Sequence, residues 1–214
     1  LSFRVSINGI AFLFALMLTR KLRGTNFFRT VFFMPNLVGG LLLGFTWQFV
    51  FVNVFEAIGK NLGIEALTGW LSTTSTGFWG LVIVFAWQFS GYLMIVYVAA
   101  LSNIPQSVME AAYIDGAGTM ARLRHITIPL VAPGFTVGLF LTLANAFKVF
   151  DINLALTGGG PYKSTESMAL NIYTTAFSDN RLGLAQAKAL LYLFVVAAIT
   201  LTQLYFNKKR EVEM

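Results

Sequence analysis

Between Glu110 and Pro133 the chain reads EAAYIDGAGTMARLRHITIPLVAP, which sets two acids, two arginines and the only histidine between two strongly apolar runs. Side chains of these types can ligate a metal, activate a nucleophile or make charge-assisted contacts to a partner. No second metal-binding side chain lies near His125, so that residue reads as a polar loop residue and no metal site is assigned. The chain has no cysteine and this one histidine, so the usual nucleophile–base sets cannot be assembled and no catalytic residue is expected. Charge-assisted contact remains. A second stretch, GGGPYKST from Gly158 to Thr165, has the look of a phosphate loop. That loop needs Lys directly after its last Gly, and here Pro161 and Tyr162 intervene. No Walker signature occurs elsewhere, so the chain is not expected to hydrolyse ATP by itself.

The solvent around these residues follows from composition. Hydrophobic residues make up 57% of the 214 and charged residues 11%, at a mean hydropathy of +0.71. A water-soluble globule carries about 25% charged residues, so the reading is a polytopic membrane protein. Five apolar segments, roughly 3–19, 30–53, 77–100, 130–150 and 184–206, are long enough to span, a helix needing about 20 residues to cross. The net charge of +6 does not point to nucleic acid, because its distribution is that of membrane loops. Arg20, Lys21, Arg23, Arg29, Arg122, Arg124, Lys208, Lys209 and Arg210 fall on one side of these spans. Arg4, Lys60, Lys163 and Arg181 fall on the other, with Lys148 and Lys188 inside helices. The richer side marks the cytoplasm. The loop 102–129 and the C-terminus are therefore expected inside, and the loop 152–183 outside. Leu1 then lies outside, without an initiator Met or the pattern of a signal peptide, so an upstream spanning helix is expected. With no internal repeat and no Pro- or Ser-rich linker, residues 1–214 read as a single membrane domain.

Local rules give the polar stretch a shape. Pro105 suits a first helical turn, and QSVMEAAYI continues with helix formers. Gly116 and Gly118 can take the positive φ angles that end a helix, and Thr119 can cap the next one. MARLRHI makes a second short helix before Pro129 and Pro133 lead into the following span. The product is a helix–turn–helix elbow whose polar side meets water, headgroups or another protein.

EAAYIDGAGTMARLRHITIP resembles the EAA signature of permease subunits in ATP-binding cassette (ABC) importers: Glu-Ala-Ala, three residues later Asp-Gly-Ala, then Ile126 and Pro129. The resemblance implies an all-α transmembrane helical bundle of the type I importer permease kind, with five spans here plus the expected N-terminal one. It also implies that the elbow is a coupling helix docking on a cytoplasmic ATPase, through Glu110, Ala111, Ala112, Asp115, Gly116 and Ala117. Leu123 stands where the family often has an aromatic residue. FKVFDINLALTGGGPYKSTESMALNIYTTAF, Phe147 to Phe177, is similar to the corresponding segment of maltose and glycerol-phosphate importer permeases, above all in its FD and TGGGP elements. This second resemblance implies a sugar permease in the bacterial cytoplasmic membrane. It would work by alternating access with two ATPase subunits that bind the ATP and Mg, a second and non-identical permease, and an extracellular or periplasmic sugar-binding protein. A stand-alone secondary transporter, or a permease for another solute, is the alternative.

Amides and hydroxyls that satisfy sugar OH groups, beside aromatic faces, are the expected substrate contacts. Gln88 and Tyr92, four apart, share one helix face, and Thr142 and Asn145, three apart, share another. In the resembling family the two helices flanking the elbow line the substrate path. An interhelical hydrogen bond is the competing role for each pair. The Trp47-Gln48 and Trp87-Gln88 pairs read as packing, and Lys148 with Asp151 as an i,i+3 ion pair. Pro35, Gly39 and Gly40 can break the second span. Gly91, Gly134 and Gly138 permit close helix approach.

Overall fold

The computed structural model describes residues 2–19 and 24–208, with side chains from 6 to 19 and from 24 to 206. Helix makes up 82% and no strand occurs among the described residues, the all-α class expected from sequence. The elements are α1 (Ser2–Thr19), α2 (Thr25–Leu37), α3 (Gly40–Leu62) and α4 (Thr74–Ser102). There follow α5 (Gln106–Ile114), α6 (Thr119–Leu130), α7 (Ala132–Phe147), α8 (Asp151–Leu156), α9 (Met168–Tyr173) and α10 (Leu182–Lys208). By length and composition α3, α4 and α10 can each cross a membrane. The pair α6 and α7, bent by 64°, makes a fourth crossing if it is one span, and the apolar part of α1, Ser6–Thr19, is shorter.

The second span differs from its expected bounds of 30–53. Helix α2 stops at Leu37, Gly39 is extended (φ −57°, ψ 143°), and the crossing helix is Gly40–Leu62. Buried Pro35 has no amide to give to the helix and so weakens α2 near its end. Helix α3 persists past Asn53 because a π-helical turn at Val50–Val54 carries the backbone ladder onward. It ends where Gly63 turns left-handed (φ +67°).

Contacts group the chain into two compact units. The first comprises Leu1–Met34, Phe89–Leu143 and Ile199–Met214. Within it, Arg29 Nη2 donates to the carbonyl of Leu18 at 2.8 Å, a basic group over the C-terminal end of α1. Phe14 stacks on Phe32 with ring centroids 4.7 Å apart. Gly91 of α4 faces the α2 backbone so closely that a Cβ there would collide with the Phe32 carbonyl. Leu93, Met94, Tyr97 and Val131 are fully buried.

The second unit comprises Pro35–Gln88 and Ala144–Ala198. Helix α8 lies against α3. A Cβ on Gly40 would come within 2.7 Å of Asp151 Cβ, and one on Gly44 within 2.6 Å of Ala155 Cβ. Around this contact Leu43, Phe51, Val84, Ile152 and Leu156 form a core that Trp47, Trp70 and Leu71 border. The Trp47 and Trp87 rings meet edge to face at 5.4 Å, so the aromatic halves of the two Trp-Gln pairs do pack. Leu191 and Phe194 of α10 are 68% and 70% exposed. In water such a face would be a liability, whereas against hydrocarbon it is solvated.

Gly91→Ala and Gly44→Ala are each expected to destabilise by about 1–3 kcal/mol, the range for overpacking. Gly183→Ala, with nothing within 4 Å of the added methyl, serves as the tolerated control. Thermal melts of the detergent-purified protein followed by size-exclusion chromatography check this ordering.

Candidate functional site

The elbow forms as local chemistry dictates. Pro105 precedes α5 in an extended conformation (φ −60°, ψ 130°). Helix α5 then ends in a Schellman turn: the amide of Gly116 donates to Tyr113 O at 3.1 Å and that of Ala117 to Ala112 O at 3.0 Å. Gly116 occupies the left-handed position at φ +75°, the one place in the elbow where glycine's freedom is required. Gly118 and Thr119 depart from expectation. Gly118 keeps a negative φ (−65°) and is itself the cap of α6, with no side-chain cap bond, so Thr119 is the first helical residue. The extended backbone of Gly118 already aims its carbonyl at the amide of Arg122, 3.0 Å away.

Of the six elbow positions, Glu110, Ala111, Asp115 and Gly116 are exposed, Ala117 is half-buried and Ala112 is buried. Glu110 accepts from Gln106 Nε2 at 2.6 Å, one turn earlier. Tyr113, Ile114 and Met120 are 73%, 84% and 73% exposed, an apolar surface that the charge-based reading of this stretch overlooked. The Arg122 guanidinium lies 5.5 Å from the Tyr113 ring centroid and ties α6 to α5. Gln106, Met109, Glu110, Tyr113, Ile114 and Arg122 line an open cleft on this face. His125 is exposed, its Nδ1 3.1 Å from Ala121 O, and no cluster able to hold a metal ion occurs among the described residues.

The four proposed substrate contacts lie in different environments. Gln88 and Asn145 belong to the second unit, and Tyr92 and Thr142 to the first. Gln88 is half-buried and donates to Val38 O at 3.4 Å, over the break between α2 and α3. Thr142 is fully buried; its hydroxyl donates to Gly138 O at 2.7 Å and accepts from Asn8 Nδ2 at 2.9 Å. That is the interhelical hydrogen bond weighed against a ligand role. Tyr92 is half-buried beside Phe89, ring centroids 5.5 Å apart, and Asn145 is half-buried.

The TGGGP segment is a tight turn, as its composition suggests. Gly158 and Gly159 are left-handed (φ +57° and +86°) and the Gly160–Pro161 bond is cis. Sequence reasoning missed the residue that organises it. Asn153, fully buried in α8, donates from Nδ2 to Thr157 Oγ1 and to Thr165 O, each at 3.0 Å, and accepts the Ser167 amide at 3.0 Å. The turn leaves Tyr162 96% exposed at its tip. Beyond it Lys188 Nζ donates to Asn171 Oδ1 and Thr175 Oγ1, both at 2.8 Å. Lys148 and Asp151 do not form the expected ion pair. Helix α7 ends at Phe147 and α8 starts at Asp151, so the two no longer share a helical face.

Comparison with known proteins bears on this arrangement. Residues 7–212 match the model of a family described as "Binding-protein-dependent transport system inner membrane component". The chain is 50% identical over 210 residues to the "Probable starch degradation products transport system permease protein" of Thermoanaerobacterium thermosulfurigenes, covering 98% of this chain and 72% of that one. It is 32% identical over 200 residues to the trehalose/maltose transport system permease protein of Thermococcus litoralis, covering 92% and 67%. Against a Bacillus subtilis ABC transporter permease, 34% identical, it spans 64% of the relative's length. A crystal structure of a bacterial ABC transporter that imports the acidic polysaccharide alginate superposes with a TM-score of 0.82 at 19% identity, covering 99% of this chain and 78% of that one.

Asn153→Ala is expected to leave buried partners of the turn unpaired, at about 1–3 kcal/mol. Amide hydrogen exchange over 157–167 should accelerate in this variant while exchange over 106–114 stays unchanged.

Proposed function

Because the chain belongs to the family of binding-protein-dependent transport system inner membrane components, we propose that it is the sugar permease subunit of an ABC importer in the bacterial cytoplasmic membrane, with the 102–129 elbow as its coupling helix and its C-terminus inside. The observation that carries this reading is the elbow itself. It combines the EAA residues with a Schellman turn at Gly116, exposed carboxylates at Glu110 and Asp115, and an apolar rim at Tyr113, Ile114 and Met120. An exposed apolar rim on charged helices suits a protein partner.

Two ATPase subunits hold the ATP and Mg in this proposal, and their closure draws the elbows together. A second, non-identical permease completes the path, and a binding protein delivers sugar to the outer face, where the turn that presents Tyr162 is a contact point. The chain itself performs no chemistry. It switches between two packed states that differ by a few kcal/mol, as alternating access requires. The names of the starch-product and trehalose/maltose relatives support carbohydrate as cargo. Tyr92 is the best placed of the four ligand candidates, being an aromatic residue that is only half-buried, and Asn145 and Gln88 follow. Thr142 already spends its hydroxyl on Asn8 and Gly138.

Gly116→Pro forces φ to about −65° at a position that needs +75°. A mild-detergent pull-down should therefore retain the second permease and lose the ATPase. Co-purification of neither partner with the wild-type chain would overturn the reading. Tyr92→Ala should raise the sugar concentration for half-maximal uptake roughly tenfold, the equivalent of about 1.4 kcal/mol, with the ATPase still bound.

A further inference from the structure

The first compact unit contains a polar chain that the transport reading does not use. Tyr97 of α4 donates its hydroxyl hydrogen to Asn8 Oδ1 of α1. Asn8 Nδ2 donates to Thr142 Oγ1 of α7 at 2.9 Å, and the Thr142 hydroxyl donates to Gly138 O at 2.7 Å. Tyr97 and Thr142 are 0% exposed and Asn8 is 3% exposed. Each donor in the sequence has an acceptor, and the chain closes on a backbone carbonyl. Three helices are thereby joined through groups that hydrocarbon cannot satisfy.

Packing around the chain leaves it no slack. The Tyr97 ring packs on Phe12 and Phe135, at centroid distances of 5.7 and 5.0 Å, and those two rings meet each other at 4.8 Å. A Cβ on Gly138 would collide with the Tyr97 hydroxyl and lie 2.7 Å from Asn8 Oδ1, and one on Gly134 would lie 2.7 Å from Ala100 Cβ. Helix α7 therefore approaches α4 at two glycines one turn apart, with the polar contacts at the second. Apolar side chains of similar volume would hold the helices together equally well but would tolerate rotation and sliding. Directional bonds between buried groups do not, because a partial shift leaves a donor or acceptor unpaired at about 1–3 kcal/mol.

Two of the three helices that this chain fastens, α4 and α7, are the ones on which the elbow hangs. We infer that Asn8, Tyr97 and Thr142 form a latch that makes α1 and the elbow-bearing ends of α4 and α7 one rigid body, so that a displacement of the elbow moves the spans instead of being absorbed between them. These are positioning residues, touching neither ATP nor cargo. The inference rests on the coupling role proposed for the elbow, but the rigidity it asserts can be read without any partner.

The experiment uses two near-isosteric variants, Tyr97→Phe and Asn8→Leu, and two readouts. Since the chain contains no cysteine, spin labels at the exposed positions Ala99→Cys of α4 and Val137→Cys of α7 report the distance between the elbow-bearing ends in the purified permease. A narrow distribution is expected in the otherwise wild-type chain and a broadened one in each variant. In proteoliposomes carrying the whole importer, sugar transported per ATP hydrolysed should fall roughly fivefold or more, while sugar-stimulated hydrolysis persists. The double variant should be no worse than the worse single one, since a broken chain cannot be broken twice. Unchanged distance widths, or uptake and hydrolysis falling in step, would overturn the latch. If the wild-type assembly shows no ATP-driven uptake but the widths still broaden, the importer reading fails and the latch stands.

Discussion

A helix in hydrocarbon satisfies its own backbone, and an interrupted helix does not. Every break therefore frees carbonyl groups, and one that is packed away from water must find a donor elsewhere in the chain. Much of this structure answers that requirement. The carbonyl of Val38, at the break before α3, accepts from Gln88. Phe147 O, at the end of α7, accepts from the Tyr192 hydroxyl at 2.7 Å, and Val149 O, two residues on, from Ser167 Oγ at 2.7 Å. Leu156 O, at the end of α8, accepts from Gln48 Nε2 at 3.3 Å, and Leu18 O accepts from Arg29. None of these donors is within ten residues of its acceptor. The breaks and the cross-chain bonds are a single feature: one creates the demand that the other meets.

The same constraint separates the two places where the backbone turns sharply. At the elbow the turn satisfies itself through backbone bonds to Tyr113 and Ala112, and the side chains of Glu110, Tyr113, Ile114 and Asp115 stay exposed. Beyond α8 the turn depends on a buried side chain, Asn153, whose amide serves three partners at once. A self-contained turn can move as a unit with its exposed face intact. A turn held by one buried amide is fixed to the helix that carries it. The proposed roles, an elbow that transmits motion and an outer loop that presents a constant surface, suit these two constructions.

Polar residues inside apolar helices answer two demands, ligand binding and backbone or interhelical satisfaction. Gln88 and Thr142 look identical to ligand residues in sequence, since amide and hydroxyl groups at helical spacing suit either use. The structure gives both of them protein partners. Tyr92, half-buried beside Phe89, is the aromatic residue among the proposed ligand positions.

What the amino-acid order determined by itself was whatever depends on near neighbours or on solvent. Hydropathy alone identifies α4 and α10 as crossings, because 20 or so apolar residues have few alternatives to a helix in a membrane. Glycine at 116, between a helix former run and a second short helix, implied the elbow, because a left-handed C-cap is a local event. The break before α3 was already marked by Pro35, Gly39 and Gly40, whereas tertiary structure alone decided that Lys148 and Asp151 part company, and that Asn8, Asn153 and Thr142 are buried hubs. Each of these outcomes rests on partners 12 to 134 residues away or on where a helix stops. A one-dimensional pattern shows that a polar group is present but not which distant group will satisfy it.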